Sequence, residues 1–154
     1  MGSVRWLKLW ASSLLVACSL LVACEWRSPA RASSVWPAPR DYMVASPAAL
    51  LRGAEVFNER CSPCHGETGH GDGILADLLP IRPRNYHADP FKWGRTPSGI
   101  VETVARGRND VMPSFKGALD EADMWAVAHL VWAWMPPSQR VEDTPETLVE
   151  WKLP

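Results

Sequence analysis

Strand-like alternation is missing from this chain: nowhere do apolar and polar residues alternate long enough to define a sheet, so an all-α fold is expected. Lysine is scarce. Outside an apolar leader that contains Lys8, only Lys92, Lys116 and Lys152 occur, and the whole chain has a formal net charge of -1. That excludes the basic stripe of a nucleic-acid binder and gives little support to long-range steering of a partner. There is no long apolar run either. The longest, Leu9 to Ala23, is short of the roughly 20 residues that span a bilayer. A second Cys-X-X-Cys pair is also absent: Cys18 and Cys24 lie in that leader, leaving Cys61 and Cys64, and a zinc site of paired thiols would need more. Gly71-Asp72-Gly73 is too short and too far from any strand to be a phosphate loop. No Ser-His-Asp or paired-carboxylate arrangement follows from spacing.

The chain does have Cys61-Ser62-Pro63-Cys64-His65. Two thiols three positions apart followed at once by an imidazole form the c-type haem attachment signature. The thiols add across the haem vinyl groups as thioethers, and His65 is then placed to give a ring nitrogen to the iron. The competing readings are a structural disulfide, a redox-active Cys-X-X-Cys and half of a zinc site. The redox reading normally comes with a βαβ pattern, which is not visible here.

Downstream, Gly107-Arg108-Asn109-Asp110-Val111-Met112-Pro113-Ser114-Phe115 puts a methionine in a loop ahead of a proline that cannot continue a helix. Met112 is the natural sixth ligand, against the ordinary role of Met as a packing residue. Met124 and Met135 fall in a helical apolar stretch and read as core. His70 in a glycine loop, His87 in a polar turn and His129 within the closing helix read as surface or core imidazoles that compete weakly with Met112.

On these residues the chain resembles the class I cytochromes c, specifically the small single-haem, membrane-anchored bacterial members, from about Pro47 to Pro136. Gly53 and Phe57 match the N-terminal helix pattern, Gly66-Glu67-Thr68-Gly69-His70-Gly71-Asp72-Gly73 the glycine loop after the haem His, and Met112-Pro113-Ser114-Phe115 the ligand loop. Asp123-Met124-Trp125-Ala126-Val127-Ala128 matches the start of the closing helix, where Leu130 stands at the usual aromatic position with Trp132 and Trp134 nearby. The resemblance implies terminal helices packed around one covalently bound haem c, with Cys61, Cys64, His65 and Met112 as its attachment and ligand residues. It also implies that a proline carbonyl accepts the second ring proton of His65; Pro80 and Pro83 are both candidates, with Pro80 favoured. Arg82, Arg84, Arg95, Trp93 and Tyr86 are candidate partners for the haem propionates.

Helix signals agree. Ser46-Pro47 and Thr96-Pro97 each pair an N-cap with proline at the first helical position, and Asp120 or Leu119 opens a last helix that Pro136-Pro137 ends. Arg5 and Lys8 precede the apolar leader, and Leu21-Val22-Ala23-Cys24 looks like a bacterial lipoprotein box. The same tetrad occurs at Leu15 to Cys18, but processing there would leave Leu20 to Ala23 exposed. The expected organisation is a lipoprotein-type signal peptide at 1–23, a Pro/Ala/Ser-rich tether at 24–46, a cytochrome c domain at 47–136 and an acidic tail at 137–154. The tail either frays, docks on a partner or wraps the domain through Leu148 and Trp151.

The function expected is that of a non-enzymatic one-electron carrier, lipid-anchored at Cys24 on the periplasmic side of a bacterial membrane. It would relay electrons between redox proteins such as a membrane respiratory complex or a periplasmic oxidoreductase. The alternative is a haem sensor or peroxidase-like protein in which Met112 dissociates.

Overall fold

A computed structural model describes residues 41–154; the leader with Cys18 and Cys24, and most of the tether, lie outside the described residues. Its helices are α1 (Pro47–Arg60), α2 (Ser62–His65), α3 (Pro97–Arg106), α4 (Glu121–Trp134) and α5 (Pro145–Glu150). Among the described residues no strand forms beyond two isolated bridges.

The caps are those that the sequence predicts. Ser46 Oγ accepts from the Ala49 N–H at 3.1 Å, Thr96 Oγ1 from Gly99 at 3.1 Å and Asp120 Oδ1 from Asp123 at 2.7 Å. Each satisfies a first-turn donor that the helix itself cannot, an effect of about 1 kcal/mol.

Helices α1 and α4 pack together at the centre of the fold. A Cβ on Gly53 would lie 2.2 Å from the Ala126 carbonyl oxygen, so only glycine permits this approach. Leu130, at the usual aromatic position, faces Gly53, with its own Cβ 3.3 Å from that point. The aromatic contact moves one turn on: Phe57 meets Trp134 edge to face at 4.9 Å and 88°. On the outer side Arg52 grips Asp123 with two bonds of 2.7 and 2.8 Å. Met124, Trp125 and Met135 are fully buried in the core beside Val56, Phe57 and Val101.

The segments before α1 and after α4 both return to α4. Tyr42 donates to Glu121 at 2.8 Å, and its carbonyl accepts from His129 Nε2 at 3.1 Å. Of the three roles open to the acidic tail, the structure shows wrapping. Trp151 packs edge-on over Trp125 at 5.1 Å, and Leu148 and Leu153 join the same cluster. Asp143 accepts from the N–H and hydroxyl of Ser98, and Val141 N–H donates to Arg95 O at 3.0 Å. Helix α5 uses the same device as α1 and α3: Thr144 Oγ1 caps Thr147 N–H at 3.2 Å ahead of Pro145.

Candidate functional site

Helix α1 ends by handing its last turn to the Cys-X-X-Cys-His stretch. Cys61 N–H donates to Phe57 O at 2.8 Å, and Cys61 O in turn accepts from Cys64 and His65 at 3.1 and 2.9 Å. This single extra turn presents Cys61, Cys64 and His65 to a cavity of about 520 Å³. Phe57 from α1, Ile100 and Val104 from α3, and Val127 and Val131 from α4 supply its apolar walls.

Met112 lines the same cavity. Gly107 closes α3 with φ of 73°, and a Cβ there would lie 2.4 Å from Met112 O, so glycine is needed on both counts. Arg108 and Met112 then exchange N–H to carbonyl bonds, both 2.9 Å. Between them Asn109 and Asp110 take φ of 53° and 55°, with Val111 N–H on Arg108 O at 3.0 Å, the signature of a type I′ turn. Ser114 Oγ on Ala105 O at 2.5 Å and Phe115 N–H on Val104 O at 3.1 Å tie the loop back to α3. The methionine is therefore held from both sides of its own backbone.

His65 is stacked on Tyr86, centroids 5.1 Å apart and planes 15° apart, with Phe57 at 6.3 Å. Its Nε2 is 3.4 Å from the Tyr86 hydroxyl. Burial lowers its pKa to about 4, opposed in part by a backbone hydrogen bond that the Arg84 carbonyl accepts and assisted by the Arg84 charge. That backbone contact is loose, since the buried Nδ1 meets full hydrogen-bond geometry with nothing. The imidazole is thus neutral near pH 7, the form that ligates a metal. Burial, and next the neighbouring Cys64, push the Cys61 thiol up to about 12. Such a thiol is a weak nucleophile, which disfavours the redox-active reading.

Of the two prolines, Pro83 lines the cavity and Pro80 does not, and neither carbonyl bonds Nδ1 of His65. Arg82, Arg84, Tyr86 and Trp93 also line it. Arg95 does not, and instead donates to Gln139 O at 3.0 Å. Arg60, Lys92 and Arg108 line it without having been singled out in the sequence. None of His70, His87 and His129 reaches the cavity: His70 and His87 stack on each other outside at 4.5 Å, and His129 is buried against Trp125.

The residues present fit a covalently held haem. Two unpaired thiols, a neutral imidazole with an orphaned second nitrogen, and a thioether share one apolar cavity that has cations on its lining. Among the described residues no cluster of three or more His, Cys, Asp and Glu offers a competing metal site.

Comparison with known proteins agrees. Residues 48–131 match the family described as cytochrome c oxidase, cbb3-type, subunit III. The cbb3-type cytochrome c oxidase subunit CcoP of Azospirillum sp. (strain B510) is 33% identical over 85 residues, which is 51% of this chain and 26% of that protein. The thiosulfate dehydrogenase of Stutzerimonas stutzeri (strain A1501) is 32% identical over 97 residues, 61% of this chain and 29% of that protein. The chain thus spans about a quarter of the length of these relatives. A chain of the Kuenenia stuttgartiensis reducing HAO-like protein complex superposes with a TM-score of 0.51 at 22% identity, over 72% of this chain and 47% of that one, a likeness of fold. With more than half of its length inside the family match and an all-helical fold around the attachment motif, this chain belongs to the cbb3-type cytochrome c oxidase subunit III family and is a class I c-type cytochrome whose cofactor is covalently bound haem c.

Proposed function

We propose that this protein carries one electron at a time on a single haem c, attached through Cys61 and Cys64 and ligated by His65 and Met112. What supports this above all is that the attachment turn and the methionine loop, from separate parts of the sequence, line one apolar cavity. The bound haem supplies an iron that alternates between ferrous and ferric states.

The chain's own residues set the conditions. Phe57, Val104, Val127 and Val131 give the cavity an apolar wall. His65, neutral through burial, offers nitrogen without first losing a proton. Met112 offers a soft sulfur held by the Arg108 backbone, and a thioether ligand favours the reduced iron. Were His65 and Met112 both to hold the iron, no place would remain for an exchangeable substrate, and the protein would be a relay and not an enzyme.

Relatives are named as an oxidase subunit and as a thiosulfate dehydrogenase, and the partners proposed are of that kind: a membrane respiratory complex or a periplasmic oxidoreductase. The same reading makes 1–23 a lipoprotein-type signal peptide, Cys24 the lipidated residue of an exported chain, 24–46 its tether on the periplasmic face of the membrane, 47–136 the cytochrome domain and 137–154 an acidic tail. No helix among the described residues is long and apolar enough to cross a membrane.

The test is attachment and ligation together. Haem stays with the wild-type polypeptide through acid-acetone extraction and denaturing electrophoresis, and Cys61→Ala with Cys64→Ala abolishes this. Met112→Ala keeps the haem, loses the near-infrared sulfur-to-iron band of the oxidised protein, lowers the potential and admits carbon monoxide. Haem-free protein from a strain competent in cytochrome c maturation, or a band that survives in Met112→Ala, refutes the assignment.

A further inference from the structure

Charge at the cavity is of one sign. Arg60, Arg82, Arg84, Lys92 and Arg108 line it, and no Asp or Glu does. Of these, Arg60 has a carboxylate partner, Glu59 at 3.0 Å, in an exposed pair of the kind that contributes little. Arg84 and Arg108 are instead held over aromatic rings, 4.7 Å from the centre of Phe91 and 5.3 Å from that of Trp93. Residues 41–154 as a whole hold sixteen Asp and Glu against eleven Lys and Arg. The fold has sorted charge into a basic mouth on an acidic body.

An apolar strip adjoins that mouth. Ile74 and Leu78 are 87% and 78% exposed, and Leu75 and Ile81 are 42% and 51% exposed. Aliphatic side chains gathered at this density mark a contact surface more often than chance. The strip is fixed to the attachment turn, for Leu75 N–H donates to Pro63 O at 2.8 Å and Gly73 N–H to Cys64 O at 3.3 Å. Leu79 and Ile81 continue it into the cavity wall, whereas Ile74 and Leu78 are outside the lining, where a bound haem leaves them uncovered. From 74 to 84 the one carboxylate is Asp77.

We propose that the strip from Ile74 to Ile81, with Lys92 and Arg108 on the cavity lining into which it runs, is the face on which this cytochrome meets its redox partner, and that the partner is a protein presenting carboxylates around an apolar centre. The proposal rests on the electron-carrier reading above. Cations at the mouth orient an acidic partner during approach, and the aliphatic side chains expel water once it has seated. Because the strip is bonded to the turn that carries Cys61, Cys64 and His65, a protein seated there lies beside the attachment site. A membrane is the poorer occupant, since an anionic bilayer would repel the acidic body and Asp77 sits within the strip.

Hexacyanoferrate(III), a trianion, tests the charge. It takes one electron from the ferrous protein and becomes hexacyanoferrate(II), with no bond or proton exchanged. A uniformly negative protein would react faster as salt rises, whereas a basic mouth makes the reaction slower. By stopped flow the rate constant falls between about 10 and 300 mM sodium chloride, where screening sets in. Lys92→Glu combined with Arg108→Glu lowers the low-salt rate roughly tenfold with the haem spectrum intact, and Lys152→Glu leaves it unchanged.

Binding tests the strip. The redox-inert cadmium form of an acidic blue-copper protein, titrated by chemical-shift perturbation, binds the wild-type protein, and Ile74→Ser with Leu78→Ser weakens Kd at least about fivefold with the haem spectrum intact. A rate that rises with salt, a Kd indifferent to the strip, or binding to phosphatidylglycerol vesicles in place of the copper protein overturns the proposal. Complete oxidation by hexacyanoferrate in those cases leaves the carrier reading standing. A haem-loaded protein that fails to cycle between its two oxidation states removes that reading instead.

Discussion

Gly53 and Ala126 are in such close register that the backbone of α1 touches the backbone of α4 where any other residue would hold them apart: a Cβ at 53 would stand 2.2 Å from the Ala126 oxygen and 2.7 Å from its carbonyl carbon. Backbone cannot swing aside as the end of a side chain can. Gly53→Ala gains about 1 kcal/mol of helix propensity and loses about 1–3 kcal/mol to overpacking, with the severity of this contact putting the loss at the upper end. Denaturant unfolding should show a net loss of about 1–2 kcal/mol, and an unchanged or raised midpoint would mean that the helices move apart at no cost.

The turn that leads into Met112 puts two non-glycine residues in left-handed backbone, with φ of 53° at Asn109 and 55° at Asp110. Left-handed backbone costs roughly 1–2 kcal/mol for an ordinary residue, with Asn and Asp among the exceptions. Asp110→Gly should therefore hold the methionine loop more firmly, and Asn109→Val should weaken it. The readout is the temperature at which the sulfur-to-iron band disappears: higher in the first variant, lower in the second. The reverse order would show that the turn does not govern the ligand.

His129 supplies a pH dependence. Burial lowers its pKa, opposed by its hydrogen bond to Tyr42 O and by the charges of Asp143 and Glu142. The folded value lies below the unfolded one, so below the ordinary imidazole range the unfolded chain binds the extra proton. Stability contributed by the neutral ring is present above about pH 6.5 and is lost as pH falls, at no more than about 1.4 kcal/mol per pH unit for one proton. His129→Gln keeps a donor for Tyr42 and removes the titration. Its melting temperature should decline less than that of the wild type between pH 7 and pH 5, and parallel curves would assign the loss to other groups.

The proposed anchor separates two cysteines outside the described residues. Cys24→Ser should release the protein from membranes or block its processing, and Cys18→Ser should do neither, with fractionation and intact mass as the measurements. The opposite pair of results moves the lipid to Cys18.

Whatever is local in this fold could be read from the sequence. Ser46-Pro47, Thr96-Pro97 and Asp120 start the helices expected of them because a cap acts within three residues of itself. The same cap at Thr144-Pro145 opens α5, whose 6 residues are too few to show a helical apolar period. Trp151, which pins that segment, has its partner Trp125 in another helix, and no local signal reports such a contact. The cationic mouth escaped for the same reason. Arg60, Lys92 and Arg108 are far apart in sequence and unremarkable singly, and the lysine count pointed away from a basic surface that arginine largely builds. The candidate attachment residues and Met112 stand out because their motifs are written in adjacent positions, whereas which backbone carbonyl faces His65 depends on how the loop from Gly66 to Arg95 closes.

Helix α4 serves two masters. Val127 and Val131 face the cavity, while Trp125 and His129 are gripped from behind by Trp151 and by the Tyr42 carbonyl. A wall braced on its far side yields little when the charge in front of it changes, because densely packed side chains have nowhere to go. The segments flanking the haem domain thereby act as buttresses: they touch nothing that reacts, yet they limit how far the haem surroundings must readjust each time an electron arrives or leaves.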